Sequence, residues 1–193
     1  MSYNVLIIPE DFTKDEHILK PLVEKIFQEI NHRANVRVCR NPRLTGLSQC
    51  MNYDNISHII SMYPMVDLYL LLVDRDGDEN RRIRLNNLEN RVNDSLTNNK
   101  KFMAENFYQE VEVIALAGQT LPTEWSWQDV RQEPNPKEKY FIPFTKLNNY
   151  YCHPYNGRKL IMQRSLLNWR RMRSLCPEDV ETLISRIGTI FNT

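Results

Sequence analysis

A chain of 193 residues can form one domain with a real core, with room for a small C-terminal appendage. Its 25 basic and 24 acidic side chains nearly cancel, so no global field selects a polynucleotide or a membrane surface, and no apolar run reaches the length of a membrane span. The N-terminus opens into an apolar segment without a basic leader, and Cys39, Cys50, Cys152 and Cys176 lack CxxC spacing, a pattern that predicts reduced thiols in the cytoplasm rather than a disulfide frame or a zinc site.

Val5-Leu6-Ile7-Ile8 is a continuous apolar run closed by Pro9, the pattern of a buried strand. Glu10-Asp11 opens a loop, and Thr13 with Glu16 makes a capping-box pattern. Ile18, Leu19, Leu22, Val23, Ile26, Phe27 and Ile30 then keep helical spacing. Val36-Arg37-Val38-Cys39 alternates as a second strand, and the Asn41-Pro42-Arg43 turn leads to a helix through Ile56, Ile59 and Ile60 that Pro64 stops. Leu68 to Val73 is the strongest strand signal in the chain. After the Gly77 turn, Ile83, Leu85, Leu88 and Val92 mark a helix whose other face is rich in Arg and Asn. Val111 to Ala117 reads as a fourth strand that turns near Ala115. Strands alternating with helices predict an α/β fold, doubly wound on a mainly parallel sheet, over residues 1–119. Prolines and aromatics from Thr120 to Tyr155 predict an ordered loop insertion with short helices. Helices over Leu160–Arg173 and Pro177–Phe191 complete a C-terminal extension, 120–193, packed within the same domain.

The most informative stretch is Leu70-Leu71-Leu72-Val73-Asp74-Arg75-Asp76-Gly77-Asp78, where an apolar strand breaks into three alternate carboxylates. Such crowding at the end of a buried strand is unfavourable unless a cation sits among the acids, and hard oxygen donors suit Mg²⁺ or Mn²⁺. In parallel α/β folds ligands bind beyond the carboxyl ends of the strands, and Glu10, Asp74 and Asp76 would all open onto that edge. Glu112, inside the last apolar run, could join them or face solvent on an edge strand. Glu10 could equally begin a loop, and Asp74 could cap the next helix. A calcium loop is excluded, because its sixth and twelfth positions would be Glu79 and Leu85 where Gly and Glu are needed.

A Glu after the first strand followed by DxD after a later strand resembles the Toprim fold of topoisomerases, primases and OLD-family nucleases. The likeness is strongest to small stand-alone Toprim-like proteins. It rests on Ile7-Ile8-Pro9-Glu10-Asp11-Phe12-Thr13, with Asp11 where Gly is usual, and on Val73-Asp74-Arg75-Asp76. Glu112-Val113-Ile114 matches a later segment in part, with Ile114 in place of Trp. The resemblance implies a Mg²⁺-dependent nuclease or nucleic-acid-processing subunit, acting with an ABC- or AAA-type ATPase in defence against foreign DNA. By position it implies Glu10 as general acid/base, Asp74 and Asp76 as metal ligands, Glu112 in the metal shell and Asp78 as an outer ligand. A non-catalytic binding subunit on the same fold is the alternative. The DxDG segment also resembles haloacid-dehalogenase phosphatases, in which Asp74 would be the nucleophile. There, however, the motif lies on the first strand and Thr or Val follows the Gly, where this chain has Asp78.

Arg81 and Arg82 follow the acidic loop, and Arg158, Lys159, Arg170 and Arg171 make the last third locally basic, so these residues are candidates for DNA or RNA phosphates or for solvated helix faces. Aromatics between Trp125 and Tyr155 could stack on bases, but the core of the insertion or a contact with a protein partner is the stronger expectation. Lys137 and Lys139 lie in the same segment within reach of a phosphate.

Overall fold

The computed structural model describes residues 2–97 and 99–191. Strand β1 (Ser2–Pro9) runs through the middle of the sheet, with Val5 to Ile8 all buried, and Pro9 removes an N–H where the ladder ends. Helix α1 (Glu16–Glu29) turns Ile18, Leu19, Leu22, Val23, Ile26 and Phe27 inward. Thr13 does not cap it. Its backbone N–H donates to Asp11 Oδ1 (2.9 Å), and Asp15 occupies the capping position. Strand β2 (Arg33–Val38) follows, then the single turn α2 (Leu47–Cys50) and α3 (Tyr53–Met62). Asn52 caps α3, its side chain accepting from the backbone N–H of Asp54 and of Asn55. Strand β3 (Leu68–Asp74) and helix α4 (Arg81–Ser95) complete the next unit.

The fourth strand, β4 (Lys101–Phe107), lies before the run from which it was expected. Val111–Ala117 instead forms α5 (Glu112–Ala117), in which every side chain is buried. A short apolar run has no periodicity that separates a buried strand from a buried helix. The real strand, Lys101-Phe102-Met103-Ala104-Glu105-Asn106-Phe107, carries too many polar side chains to stand out.

All four strands are parallel, in the order β2-β1-β3-β4, with helices on both faces of a doubly wound α/β fold. Alternate strand residues serve two cores. Val5, Ile7, Leu68, Leu70, Leu72 and Met103 pack with α1 and α5 on one face; Leu6, Ile8, Tyr69, Leu71, Val73 and Phe102 pack with α3 and α4 on the other.

The C-terminal segment covers the α1/α5 face. It comprises α6 (Trp127–Gln132), a wide turn (Lys137–Phe141) running into α7 (Ile142–Leu147), then α8 (Arg158–Ser165), α9 (Trp169–Leu175) and α10 (Thr182–Phe191). Val130, Phe141, Phe144, Met162, Met172 and Ile187 from this segment join the same apolar cluster as α1 and α5. Helices α5 and α8 meet closely enough that a Cβ on Gly118 would lie 2.4 Å from Ser165 Cα. Most of the aromatic side chains are thus core: Trp125 packs edge-on against Tyr140, and Trp127 Nε1 donates to Leu175 O (3.1 Å), while Tyr151 and Tyr155 remain exposed.

Candidate metal centre

The chain direction of the helices reverses between β1 and β3: α1 leaves β1 over one face of the sheet, and α4 leaves β3 over the other. That reversal opens a crevice beyond the carboxyl ends of the strands, where ligands bind in open α/β sheets. Pro9 lies opposite Leu72 in the register, so Glu10 and Asp74 leave the sheet within about a residue of each other on neighbouring strands.

Beyond Asp74 the chain turns sharply, with Asp76 (φ +50°) and Gly77 (φ +70°) in the left-handed region. Asp tolerates that conformation better than most residues, and Gly carries no penalty there. The turn is held from below by Gln109, in the loop between β4 and α5. Its carbonyl accepts from the backbone N–H of Arg75 (2.7 Å) and of Asp76 (3.3 Å), and its side-chain Oε1 accepts from the N–H of Gly77 (2.9 Å). Two residues on, the Val111 N–H donates to Asp74 Oδ1 (2.8 Å). The β3–α4 turn and the β4–α5 loop therefore form one hydrogen-bonded unit. Glu110, between these contacts, enters the site as its third carboxylate: oxygens of Asp74, Asp76 and Glu110 all lie within 4.8 Å of one another.

Two oxygens on one ion are at most about 4.2 Å apart for Mg²⁺ and about 5 Å for Ca²⁺, so oxygens that all lie within 4.8 Å of one another are candidates for sharing one divalent cation. The electrostatics agree. Burial, then the Glu112 and Asp15 carboxylates, raise the pKa of Asp74. Asp15 is pushed up to about 7, first by burial and then by Glu112. Burial likewise raises Glu110, against the pull of the Lys137 backbone N–H, which donates to its Oε2 (2.7 Å). Glu10 is raised by burial and by Asp76, partly offset by Arg81, and its Oε2 is buried without a hydrogen-bond partner. Several carboxyl groups shifted in the same direction, with an orphaned oxygen beside them, describe a site short of positive charge. Hard oxygen donors in that setting fit Mg²⁺, Mn²⁺ or Ca²⁺.

Glu10, Asp74 and Asp76 thus come together on one edge, as their positions after β1 and β3 require. Glu112 does not join the converging oxygens. It sits in the first turn of α5, not on a strand, and its buried carboxylate pairs with buried Arg158. Asp78 is not among the converging oxygens: it accepts from Arg81 Nε (3.3 Å), from Arg84 and from the Asn80 N–H (2.9 Å) at the start of α4. The basic candidates divide in the same manner. Arg81 is buried, and its guanidinium donates to the Asp74 carbonyl and lies 3.8 Å from Asp76. Arg82 pairs with Glu105 and donates to Ala104 O (2.8 Å); Arg158 pairs with Glu112. Lys159, Arg170 and Arg171 are exposed, Arg171 Nε donating to Ala117 O (3.2 Å). Lys137 Nζ lies 3.5 Å from Glu110, and Lys139 pairs with Glu133.

No protein-family model, no curated protein and no solved structure matches this chain. Asp15, Gln109 and Glu110 are the members that sequence reasoning does not reach. Asp15 looks like an ordinary residue at a helix start. Glu110 would have been a candidate had β4 been placed correctly, since it then lies three residues beyond a strand end, where ligands for this edge come from.

Proposed function

We propose that the Asp74–Asp76–Glu110 edge holds a divalent cation and serves the hydrolysis of phosphodiesters, with a polynucleotide as substrate, in the manner of the Toprim-like enzymes that the Glu10 and DxD pattern resembles. The observation that carries this reading is the convergence of three carboxylates from two loops beside the orphaned oxygen of Glu10, at the switch point of the sheet.

In this reading Asp74 and Asp76, from the end of β3, and Glu110, from the β4–α5 loop, hold the cation. When bound, such an ion polarises a phosphoryl oxygen and lowers the pKa of a coordinated water. Glu10 stands on the neighbouring strand, with a pKa raised above the usual carboxylate range. It holds a proton more readily than an exposed Glu and is placed to exchange one with the attacking water or the leaving oxygen. Arg81 grips the Asp74 carbonyl and stands beside Asp76, so it fixes the turn and supplies a permanent positive charge near the reacting group. Gln109 positions the turn through its three hydrogen bonds.

The test is incubation of the protein with plasmid, single-stranded DNA and RNA in Mg²⁺ or Mn²⁺. Cleavage is expected in wild type and is lost, by at least a hundredfold, in the Asp74→Asn/Asp76→Asn variant. Cleavage that survives the double substitution overturns the reading. A binding role without catalysis is the second reading, favoured by the departures from the Toprim-like pattern at Asp11 and Ile114. Polynucleotide binding that persists in wild type without turnover under any divalent metal would select it.

A further inference from the structure

Beside Glu10, on the side away from the metal trio, lies a cavity of about 450 Å³. Its walls are the β1–α1 loop, with Glu10, Phe12 and Lys14, and the segment before α2, with Arg43 and Thr45. β1 separates β2 from β3, so the cavity and the trio flank Glu10 on the same edge of the sheet. A volume in the ~300–1,000 Å³ range is that of pockets that take small molecules or part of a larger one.

Arg43 distinguishes this cavity. Its guanidinium lies over the Phe12 ring at 5.5 Å, in an exposed position, and among the described residues it pairs with no carboxylate. Around the same edge Arg40, Arg81, Arg82, Arg84 and Arg158 each have an acidic partner. Arg75 is also without one among the described residues; it lies over the Tyr108 ring at 5.0 Å in a separate cleft shared with Arg82, Asp78 and Glu105. In the Arg43 cavity the Asp11 carboxylate is already engaged: it accepts from the N–H groups of Thr13 and Lys14 and pairs with Lys14 Nζ at 3.2 Å. The cation–π contact with Phe12 leaves the exposed guanidinium with donors to offer, and a guanidinium can grip a phosphate with two parallel hydrogen bonds. Thr13 and Thr45 add hydroxyl groups on the same rim.

We propose that this cavity is a phosphate subsite, in which Arg43 takes a backbone phosphate of a polynucleotide strand next to the phosphodiester that reacts. The proposal rests on the phosphodiester reading of the neighbouring edge for its substrate, but the binding it describes is measured without metal and without turnover. Glu10 then stands between the anchored phosphate and the cation-holding carboxylates, so one strand could span both.

The experiment titrates the full chain, in EDTA, with inorganic phosphate followed by ³¹P line broadening, and with a short single-stranded oligodeoxynucleotide followed by fluorescence anisotropy. Wild type is expected to bind both saturably. Arg43→Gln is expected to weaken both roughly tenfold, the scale of one charge-assisted bidentate contact, with an unchanged circular-dichroism spectrum because Arg43 is exposed. Arg43→Lys recovers part of the loss, since it restores charge but not the fork. Asp74→Asn/Asp76→Asn is expected to bind at least as tightly as wild type. Saturable binding that is equal in Arg43→Gln, or no saturable binding by wild type, overturns the proposal. Arg43-dependent phosphate binding with Arg43-independent oligonucleotide binding overturns the polynucleotide assignment. Arg43-dependent binding of both, in a protein that cleaves nothing, leaves the subsite standing and removes only the hydrolytic reading.

Discussion

Asp15 shows how a single residue records the charge deficit of the site. Its carboxyl pKa in the folded chain is about 7 against a model-peptide value of 3.8. Between those values the folded state holds a proton that the unfolded state has released, so this residue's contribution to stability falls as pH rises from about 4 to 7 and stays low above 7. Asp15→Asn removes that dependence while its side-chain oxygen can still accept from the Asp11 N–H. In EDTA the variant is expected to match wild type at pH 4 and to be more stable at pH 8 by on the order of 3 kcal/mol, read as a higher Tm. Equal melting at both values would mean that Asp15 is ionised in the folded protein without cost. Gln109 acts in the opposite sense. It carries no charge, yet its three hydrogen bonds hold the turn that carries Asp76.

At the scale of elements, β4 explains both why the fourth strand is hard to see and why it is stable at the edge of the sheet. Its outer backbone groups would be open to pairing with another chain. Here side chains occupy them. Asn93 on α4 accepts from the Phe102 N–H (3.0 Å) and donates to the Phe102 carbonyl (2.8 Å). Glu89 accepts from the Ala104 N–H (2.8 Å), and Arg82 and Arg186 donate to the Ala104 carbonyl (2.8 and 3.2 Å). Glu105, Glu89, Arg82 and Arg186 then pair among themselves. The side chains that close the edge come from α4 and α10, and Glu105 of the strand itself pairs with two of them. Asn93→Ala leaves one buried donor and one acceptor without partners and is expected to lower unfolding free energy by about 1–3 kcal/mol, measured by urea titration. A loss within error of zero would show that water replaces the side chain freely. Helix α5 is the converse case: its six buried residues look like a strand because α1, α8 and the sheet surround it.

For the whole molecule, the aromatic C-terminal segment is a wall of the core and not an appended arm. Phe141, Phe144, Met162, Met172, Val180 and Ile187 share one apolar cluster with Ile18, Leu22, Val113 and Leu116. Polar contacts reinforce it: Gln119 Nε2 donates to Ser165 Oγ (2.6 Å), Asn168 Nδ2 to Gly118 O (2.7 Å), and the Tyr108 N–H to Asp179 Oδ1 (2.7 Å). A fragment of residues 1–119 would expose one whole side of α1 and α5, so it is expected to lack a cooperative thermal transition and to bind hydrophobic dyes. A sharp transition for the fragment would place the core boundary at 119 instead.

The order of apolar runs and the carboxylates after them determined the α/β class, the parallel sheet and the pairing of Glu10 with Asp74 and Asp76, because strand ends in a parallel sheet share an edge whatever the loops do. Tertiary structure alone decided the rest. Glu110, not Glu112, converges with Asp74 and Asp76 because the final run folds as a helix inside a closed core, where periodicity carries no signal. Asp78, Arg81, Arg82 and Arg158 find partners across loops and helices that local spacing cannot reveal. Arg43 is open for the same reason: a charge is free or paired according to what the fold brings beside it, and that depends on contacts distant in the chain.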